Sequence, residues 1–466
     1  MTRYSIHRLA AALATMLALG GCGGVRFTRP DVPVPPAYRG EDLAPGAVPA
    51  AKTSEPASFG ELRWQDLIRD EELSRLIEEA LVHNLDVQIA AARVLEARAQ
   101  LTVSRSARLP AVTAQGGYDN VRQAEADTSA TNLTVNLGWE LDLWGRIRNT
   151  SAAARATLLA NEQARRVVLQ TLVSDVADAY FLLRDLDIEL NITRQALQLR
   201  SESLELVRLR VDNGYSSEID LRQAEVLVKG ARTALTGLEL QSTQTENQLA
   251  FLLGRNPGPI ARGRSLLDQE LTPRLPAGLP STLLDRRPDI RQAEQQLAGD
   301  QALVAVAKAA YFPVISLTAA AGFGSSALHN LFTAPSGTWL FGPAGSLPIF
   351  NAGAIKAGVR AAEARRQESL LAYQKTVQQA FHEVADDLAA YQKLDELRTQ
   401  QEGLVESLRQ GVELADLAYK GGVVSYLEYL DAERQLLDQQ LALVQIRRQG
   451  LTNVVALYCD LGGGWQ

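Results

Sequence analysis

The stretch LVRLRVDNGYSSEIDLRQAE, which runs from Leu206 to Glu225, decides the fold because the chain contains it twice. The second copy is LADLAYKGGVVSYLEYLDAE, from Leu414 to Glu433, and each of its residues lies 208 positions after its match. In each copy an apolar helical pattern meets a glycine, Gly214 or Gly422, and resumes after a serine that is suited to begin a helix. The pattern predicts two helical hairpins and a chain built from two structural repeats.

The N-terminus predicts a bacterial lipoprotein signal. Two arginines precede the apolar run Leu9–Leu19, which is too short to span a membrane. The sequence Leu19-Gly20-Gly21-Cys22 then resembles a lipobox, which implies cleavage before Cys22 and acylation of this cysteine. A plain secretory signal with an incidental cysteine is the alternative. Since Gly23 follows where inner-membrane retention favours Asp, we expect a lipid-anchored protein of the outer membrane of a Gram-negative bacterium, extending into the periplasm.

Composition narrows the class of protein. A chain of 466 residues with 46% hydrophobic residues is typical of a folded protein. The formal charge of −7 and the pI near 5.4 argue against nucleic-acid binding. Cys459 is the only cysteine besides Cys22, so acylation of Cys22 leaves no intramolecular disulfide, and we expect Cys459 to be a small buried hydrophobic residue.

Two pairs of β-strands are predicted, one pair in each repeat. The clearest strand has all its apolar side chains on one face and all its polar ones on the other. Pro343 and Pro348 weaken the pattern of the last strand, because proline cannot donate a ladder hydrogen bond. A half-buried soluble sheet fits the same alternation as membrane strands. The expected strands are Ala111–Asp119 with Asn132–Leu143, and Val314–Phe323 with Trp339–Ile349.

Each repeat continues into a very long helix. The tract from Gly145 to Asp212 would extend about 100 Å at 1.5 Å per residue, far beyond an ordinary globular helix. The returning helix is predicted from Glu218 to Leu253, where a Pro-containing linker begins. Apolar residues at coiled-coil spacing run through both copies: Leu169, Val173, Val176, Tyr180, Leu183 and Leu186, then Val377, Phe381, Val384, Leu388, Tyr391 and Leu394.

Four strands cannot form a closed membrane sheet alone. Unpaired backbone groups in hydrocarbon cost several kcal/mol each, and single-chain membrane barrels have about eight strands or more. The chain must therefore contribute its strands to a shared barrel, or the sheet is soluble.

These features resemble the outer-membrane factors, the TolC-like ducts of tripartite efflux systems, and within them the lipoprotein branch that serves resistance-nodulation-division pumps. The resemblance covers about Trp64 to Leu461 and is carried by the doubled turns and by three motifs. It implies an α+β membrane protein that forms a trimeric duct. Each chain gives four transmembrane β-strands to a shared 12-stranded barrel and long coiled-coil helices to a periplasmic α-barrel. The motifs are DRRPDI at 285–290, LWGRIRN at 143–149 and LPIF at 347–350.

The repeat and the resemblance together divide the chain into five parts. Each structural repeat is expected to hold a helix, a β-hairpin and a long helical hairpin. The parts are a lipoprotein signal peptide at 1–21, a lipidated Pro-rich tether at 22–70, a first repeat at 71–256 with its β-hairpin at 110–143 and its turn near 214, a linker at 257–285, and a second repeat at 286–466 with its β-hairpin at 313–349 and its turn near 422.

The resemblance implies passive conduction rather than chemistry. Drugs or other small molecules would pass from an inner-membrane pump and a periplasmic adaptor through a homotrimer embedded in outer-membrane lipid. The segment His382-Glu383-Val384-Ala385-Asp386 lacks the second histidine of the HExxH zinc motif, so we expect no enzyme activity, no catalytic residue, no metal site and no cofactor. Two alternatives are a duct for type I protein secretion and a periplasmic adaptor lipoprotein, which would have one hairpin interrupting a β-rich domain.

The repeated turns carry the candidate channel residues, because the resemblance places them at the periplasmic end. Glu428 and Asp431 match acidic family positions that ring the constriction. Such carboxylates would select cations at a narrow mouth. Asp220 matches a position that helps to lock the closed state through an arginine. The structural alternative is that these acids cap helices or lie in solvent.

The locking arginine itself is missing from the second copy. Val424 stands in its place, so the resemblance leaves the closing mechanism open. Arg222 and Lys420 are the candidate replacements in the two turns.

Overall fold

The computed structural model describes residues 27–36, 38, 59, 64–123, 126–269 and 280–465. The chain is mostly helical, with one antiparallel sheet. The helices are α1 (Trp64–Leu67), α2 (Glu71–His83), α3 (Leu85–Ser106), α4 (Arg146–Asp212), α5 (Glu218–Leu252), α6 (Pro280–Arg286), α7 (Pro288–Ala309), α8 (Ala354–Lys420) and α9 (Tyr426–Asp460). The strands are β1 (Ala111–Gln123), β2 (Ala126–Leu141), β3 (Val314–Ser325) and β4 (Gly337–Ser346).

The described residues form two compact units. The first consists of Ala92–Gln163 and Arg291–Thr376 with the described residues up to Val32, and it holds the sheet. The second consists of Pro33–Ala91, Ala164–Ile290 and Val377–Gln466, and it holds both helical turns.

The sheet has the strand order β1-β2-β3-β4, and every neighbouring pair is antiparallel. Its register aligns the apolar residues of all four strands on one face. Leu137, for example, pairs with Val112 on one side and with Ala319 on the other, and Ala319 pairs with Phe341. Because side chains alternate along a strand, one shared register keeps these apolar residues on the same face.

The last strand is shorter than its sequence pattern predicts. β4 ends at Ser346, and Ile349 lies beyond it with 95% of its surface exposed. Pro348 cannot donate the hydrogen bond that would prolong the ladder. Pro343 is tolerated opposite Leu317 because β4 is an edge strand, whose second side needs no partner within the chain.

The pairing of β2 with β3 joins the two repeats in one sheet, which the sequence pattern alone does not show. The strands approach closely at Gly322, where a Cβ would collide with the carbonyl oxygen of Leu133. Glycine is required there by the close approach of the two backbones.

The corner between β2 and α4 explains the LWGRIRN motif. Asp142 accepts hydrogen bonds from the backbone N–H groups of Ile147 and Arg148, both at 2.9 Å, and so caps the start of α4. Gly145 adopts a φ of 75°, which lets the chain turn. Arg146 holds Glu140 at the end of β2 through two hydrogen bonds of 2.9 and 2.6 Å.

Most of the apolar seam predicted along the long helices is buried, whereas Leu169, Phe381, Tyr391 and Leu394 are half-buried. Val173, Val176, Tyr180 and Leu183 expose 1% or less of their surface, as do Val377 and Val384 of the matching stretch. The α4 and α8 helices each extend over 67 residues. The length of the tract predicted from Gly145 is therefore confirmed to within a residue.

The described part of the chain includes only fragments of the tether. Residues 27–36 form neither helix nor strand, and Cys22 lies outside the described residues. Among the described helices, none combines the length and the hydropathy that a membrane span requires. Cys459 is buried, as expected.

Candidate functional site

The first turn closes α4 and opens α5. Gly214 adopts a φ of 79°, a conformation that glycine takes without strain. Its N–H donates to the carbonyl of Val211 at 2.9 Å, and the N–H of Tyr215 donates to that of Arg210 at 2.7 Å. This is the Schellman pattern, which satisfies the last carbonyls of a helix.

The second turn has the same geometry. Gly422 adopts a φ of 75°, its N–H donates to the carbonyl of Tyr419 at 3.0 Å, and the N–H of Val423 donates to that of Ala418 at 2.9 Å. Both glycines predicted from the repeat therefore occupy left-handed positions at matching places. No heavy atom lies within 4 Å of a Cβ built at either glycine, so the backbone conformation alone requires the residue type.

Asp220 is engaged in capping its own helix. Ser217 begins α5 and accepts a hydrogen bond from the N–H of Asp220, and the carboxylate of Asp220 accepts one in return from the N–H of Ser217 at 3.0 Å. The hydroxyls of Ser216 and Ser217 also donate to this carboxylate, each at 2.8 Å. The N–H of Ser217, followed by these hydroxyls, lowers the pKa of Asp220. The carboxylate is therefore anionic and already engaged in these hydrogen bonds.

Glu428 and Asp431 lie together on the exposed side of the first turns of α9. They are three residues apart and therefore share one face of the helix. Asp431 accepts hydrogen bonds from Arg434 at 2.7 Å and from Gln435 at 2.6 Å, and Arg434 lowers its pKa. The carboxylate of Glu428 has no hydrogen bond or ion pair within the described part of the chain.

The candidate replacements for the missing arginine are both engaged locally. Arg222 pairs with Glu218 at 2.6 Å and with Glu225 at 3.0 Å, all within α5. Lys420 pairs with Asp416 of α8 at 2.6 Å. In the described structure neither side chain bonds to Asp220.

A different arginine connects the two helical hairpins. Arg210 of α4 donates to the hydroxyl of Tyr419 of α8 at 2.7 Å, and its guanidinium lies 4.9 Å from the centre of the same ring. Tyr419 stacks on Tyr429 at 5.9 Å and contacts Tyr426 at 5.2 Å between ring centres. The sequence pattern does not predict this contact, because it joins the two copies of the repeat rather than residues within one copy.

Tyr419 and Tyr429 pack against a small apolar core, here called the tip core, which consists of Val207, Ala224, Tyr426 and Leu430. Residues from α4, α5 and α9 thus meet in one cluster near the turns. A sequence signal was present, since three tyrosines spaced by seven and three residues form one stripe across the second turn. The first copy has no tyrosine at the matching positions.

The described side chains offer no metal site. Within them, no group of three or more His, Cys, Asp and Glu residues is placed to hold an ion.

The chain matches a family model described as "Outer membrane efflux protein" over residues 76–255 and again over 279–463. It is 36% identical to the "Probable efflux pump outer membrane protein TtgC" of Pseudomonas putida over 467 residues, which covers 98% of this chain and 96% of that protein. It is 34% identical to the "Probable outer membrane lipoprotein SilC" of Salmonella typhimurium over 460 residues, which covers 97% of this chain and 98% of that one.

The fold is similar to a solved structure of the same kind. The open state of the Neisseria gonorrhoeae MtrE outer membrane channel superposes with a TM-score of 0.83 at 32% identity, covering 95% of this chain and 98% of that one. The two family segments, the near-complete coverage by relatives and the shared fold agree with one another. The chain therefore belongs to the outer membrane efflux protein family, which confirms the family, the efflux-channel function and the outer-membrane location predicted from its sequence.

Proposed function

We propose that three copies of this chain assemble into one continuous duct, and the observation that carries the proposal is the open sheet. β1 and β4 are its two edges, and one face is apolar from Leu133 to Leu141 of β2 and at the paired residues of β3. In hydrocarbon each unpaired backbone group costs several kcal/mol, so the edges require partners. Pairing β4 of one copy with β1 of the next satisfies both edges, and three copies then close a ring of twelve strands.

The duct conducts passively and takes its cargo from other proteins. We propose that a periplasmic adaptor and an inner-membrane pump deliver drugs or other small molecules to it, with the pump supplying the energy. No catalytic step is needed for this role. The names of the relatives above favour efflux over protein secretion. The two helical hairpins argue against a periplasmic adaptor, which would have a single hairpin.

The assembly is tested with the purified full-length protein. We expect a trimer by mass in detergent and ion conductance in planar bilayers. Edge pairing is tested by cysteines introduced in place of Tyr118 on β1 and Trp339 on β4, whose side chains lie on the apolar face. Crosslinks between copies support the ring, whereas a conducting monomer would contradict it.

Glu428 is the stronger candidate for the mouth of the duct. Its exposed carboxylate is unpaired in the described structure, whereas Arg434 and Gln435 already hold that of Asp431. Three copies of an unpaired carboxylate at a narrow opening attract cations. Asp220 contributes to the mouth as the cap that fixes the start of α5.

Single-channel recording tests this assignment. Glu428→Ala with Asp431→Ala should reduce cation preference, and Glu428→Ala alone should account for most of the change. Glu406→Ala, which removes another exposed and ion-paired acid on α8, is the matched control. Unchanged conductance and cation preference in the double variant would show that these acids only cap the helix or lie in solvent.

The lipid anchor is proposed on Cys22. Three acyl chains on one cysteine give durable anchoring, because each buried CH₂ contributes about 0.8 kcal/mol. Cells fed a labelled fatty acid should label the wild type and leave Cys22→Ser unlabelled. Labelling of the Cys22→Ser variant would place the lipid elsewhere.

A further inference from the structure

Four exposed cations lie where the helices meet the sheet, and they are here called the basic belt. Arg105 lies in the last turn of α3, and Arg108 follows it just before β1 begins. Lys356 and Arg360 lie in the first two turns of α8, which follows β4. Within the described part of the chain, none of these four side chains makes a hydrogen bond or an ion pair.

Three further cations close to this boundary are already paired with acids. The pairs are Arg146 with Glu140 at 2.6 Å, Arg148 with Asp142 at 3.2 Å, and Lys308 with Glu363 at 2.9 Å. These pairs cancel in charge, so the basic belt gives the end of the sheet an excess of positive charge.

A tryptophan indicates the level of the membrane surface. The indole N–H of Trp139 donates to the backbone carbonyl of Arg108 at 3.0 Å. Trp139 shares the apolar face of β2 with Leu137 and Leu141, so the backbone at Arg108 lies on the side of the sheet that faces lipid. Tryptophan is enriched where hydrocarbon meets water, because its ring is apolar and its N–H is polar. Arg105 and Arg108 therefore lie at the level of the lipid headgroups.

Exposed apolar side chains lie beside both pairs of cations. Leu109 and Val112 expose 69% and 64% of their surfaces, and Phe350, shortly before α8, exposes 88%. Val112 pairs with Leu137 and so lies on the apolar face of the sheet. Cationic groups beside apolar groups match a phospholipid, which has an anionic headgroup and acyl chains.

We propose that the basic belt binds the anionic headgroups of phospholipids in the periplasmic leaflet of the outer membrane. Arginine and lysine form charge-assisted hydrogen bonds with phosphate, and clustered cations are attracted to an anionic membrane surface. The inference goes beyond conduction, because it concerns the lipid around the sheet rather than the cargo inside it. In the proposed duct, neighbouring copies meet at the edges of the sheet and leave its apolar face to lipid.

Phosphatidylglycerol that carries a photoreactive diazirine near its headgroup tests the site. The full-length protein is reconstituted in phosphatidylcholine vesicles that contain a small fraction of this probe, and adducts are mapped after irradiation. We expect adducts within 105–112 and 349–360. A phosphatidylcholine probe with the same diazirine should label these segments several times less, and high salt should remove the difference by screening the charges.

Substitutions separate the two pairs of cations. Arg105→Gln with Arg108→Gln should lower the phosphatidylglycerol adducts in 105–112 about tenfold, because two charges near the membrane surface are lost. Lys356→Gln with Arg360→Gln should act in the same way on 349–360. Arg105→Lys with Arg108→Lys keeps both charges and should retain the preference for phosphatidylglycerol.

The matched control is Lys229→Gln with Arg232→Gln. These residues are two exposed cations of α5, three positions apart and without an ion pair in the described structure, and they belong to the compact unit that does not hold the sheet. Their loss should leave the labelling of 105–112 and 349–360 unchanged.

Three outcomes would overturn the proposal. Equal labelling by the two probes in wild type would show that any lipid occupies this surface. Competition by inorganic phosphate would identify a site for free anions. Labelling of dissociated chains without labelling of the assembly would show that a second copy covers the belt.

Conductance separates failure of the belt from failure of the duct. Wild-type protein that conducts in phosphatidylcholine bilayers but shows no preference for phosphatidylglycerol would refute the lipid site alone. Wild-type protein that does not conduct would refute the duct, whatever its labelling.

Discussion

In the first repeat, the side-chain amide of Asn84 donates to the carbonyl of Leu252 at 2.9 Å, where α5 ends. In the second, Arg287 donates to the carbonyl of Asp460 at 3.3 Å, where α9 ends. The donors lie 203 positions apart and the acceptors 208, so the two contacts are equivalent in the repeats. The same connection is made once by a neutral group and once by a charge.

The arginine that makes this contact in the second repeat requires further partners. Arg287 is 7% exposed and is held by the carboxylates of Asp289 at 2.8 Å, Glu383 at 2.7 Å and Asp460 at 3.3 Å. Asp387 adds a further acid where the first repeat has Ala179. Burial, followed by repulsion from Asp460, raises the pKa of Asp387 to about 8. The repeats have thus kept their backbone geometry while their charge has diverged.

The turns show the same divergence. Both have a Schellman glycine and a serine cap, but the first closes its capping box with Asp220 and the second is overlaid by tyrosines. Arg210 then joins the first repeat to the second through Tyr419. The two repeats share their backbone geometry but differ in their side chains. Substitutions at matching positions can therefore be compared between the repeats.

The largest effect is expected at the equivalent junctions. Arg287→Ala leaves several partly buried carboxylates without their cation and should lower the free energy of unfolding by about 3–5 kcal/mol. The side-chain oxygen of Asn84 also caps α3, where it accepts from the N–H groups of Asp86 and Val87. Asn84→Ala removes this neutral cap and the hydrogen bond to Leu252 and should cost about 1–2 kcal/mol. Urea unfolding followed by helical circular dichroism measures both. Arg409→Ala, in an exposed pair, is the control, and equal costs at the two junctions would break the comparison.

The contact between repeats should control opening. A hydrogen bond to a charged group contributes roughly 1.5–3 kcal/mol, so Arg210→Ala should raise the open probability of single channels at least about tenfold. Tyr419→Phe should act in the same direction, and the double variant should add little. Arg222→Ala and Lys420→Ala should leave opening unchanged. An effect confined to the latter two would identify one of them as the lock.

The extra acid should make stability depend on pH. The pKa of Asp387 is about 8 in the folded chain, against an ordinary value of 3.8, so the folded state keeps a proton that the unfolded state has lost. Stability should therefore fall as the pH rises from about 4 towards about 8. Asp387→Asn should flatten this dependence while keeping a partner for Asn453, which donates to Asp387 at 3.1 Å.

The control for that experiment is Asp386→Asn, since the side chain of Asp386 is 70% exposed. Melting temperatures of the three proteins across this pH range provide the measurement. If the wild type and Asp387→Asn show the same pH dependence, Asp387 does not hold the proton.

The smallest effect is expected at the helix caps. Ser217→Ala and Ser425→Ala should each cost about 1 kcal/mol locally. Ser217→Ala should cost more, because the carboxylate of Asp220 also loses a hydroxyl donor. Hydrogen exchange of the amides in the first turns of α5 and α9 measures the difference, and a larger loss at Ser425 would contradict the capping-box assignment.

The sequence predicted the helices and strands well because their signals are local. Alternation fixed the apolar face of β2, and glycine followed by serine located both turns. The pairing of β2 with β3 was not predicted, since strand order depends on contacts between distant segments. The Arg210–Tyr419 contact was not predicted for the same reason, because it joins the two copies and does not repeat within each one.

The roles of the candidate residues divide in the same way. Capping by Asp220 follows from a spacing of three residues after Ser217, which the sequence displays. The unequal engagement of Glu428 and Asp431 depends on Arg434 and Gln435, whose rotamers the sequence does not specify. The assignment of these acids to the mouth of the duct stays a prediction for single-channel recording.

The antiparallel pairing of Leu141 with Ile315 has a consequence for biosynthesis. β1 and β2 adjoin in the chain and can form a hairpin soon after translation, whereas β3 follows only after both arms of the first helical hairpin have been made. Until then the nascent sheet has an apolar face and an open β2 edge, which is a template for aggregation. We therefore expect the nascent chain to aggregate less when this half-finished sheet is shielded until the second repeat arrives.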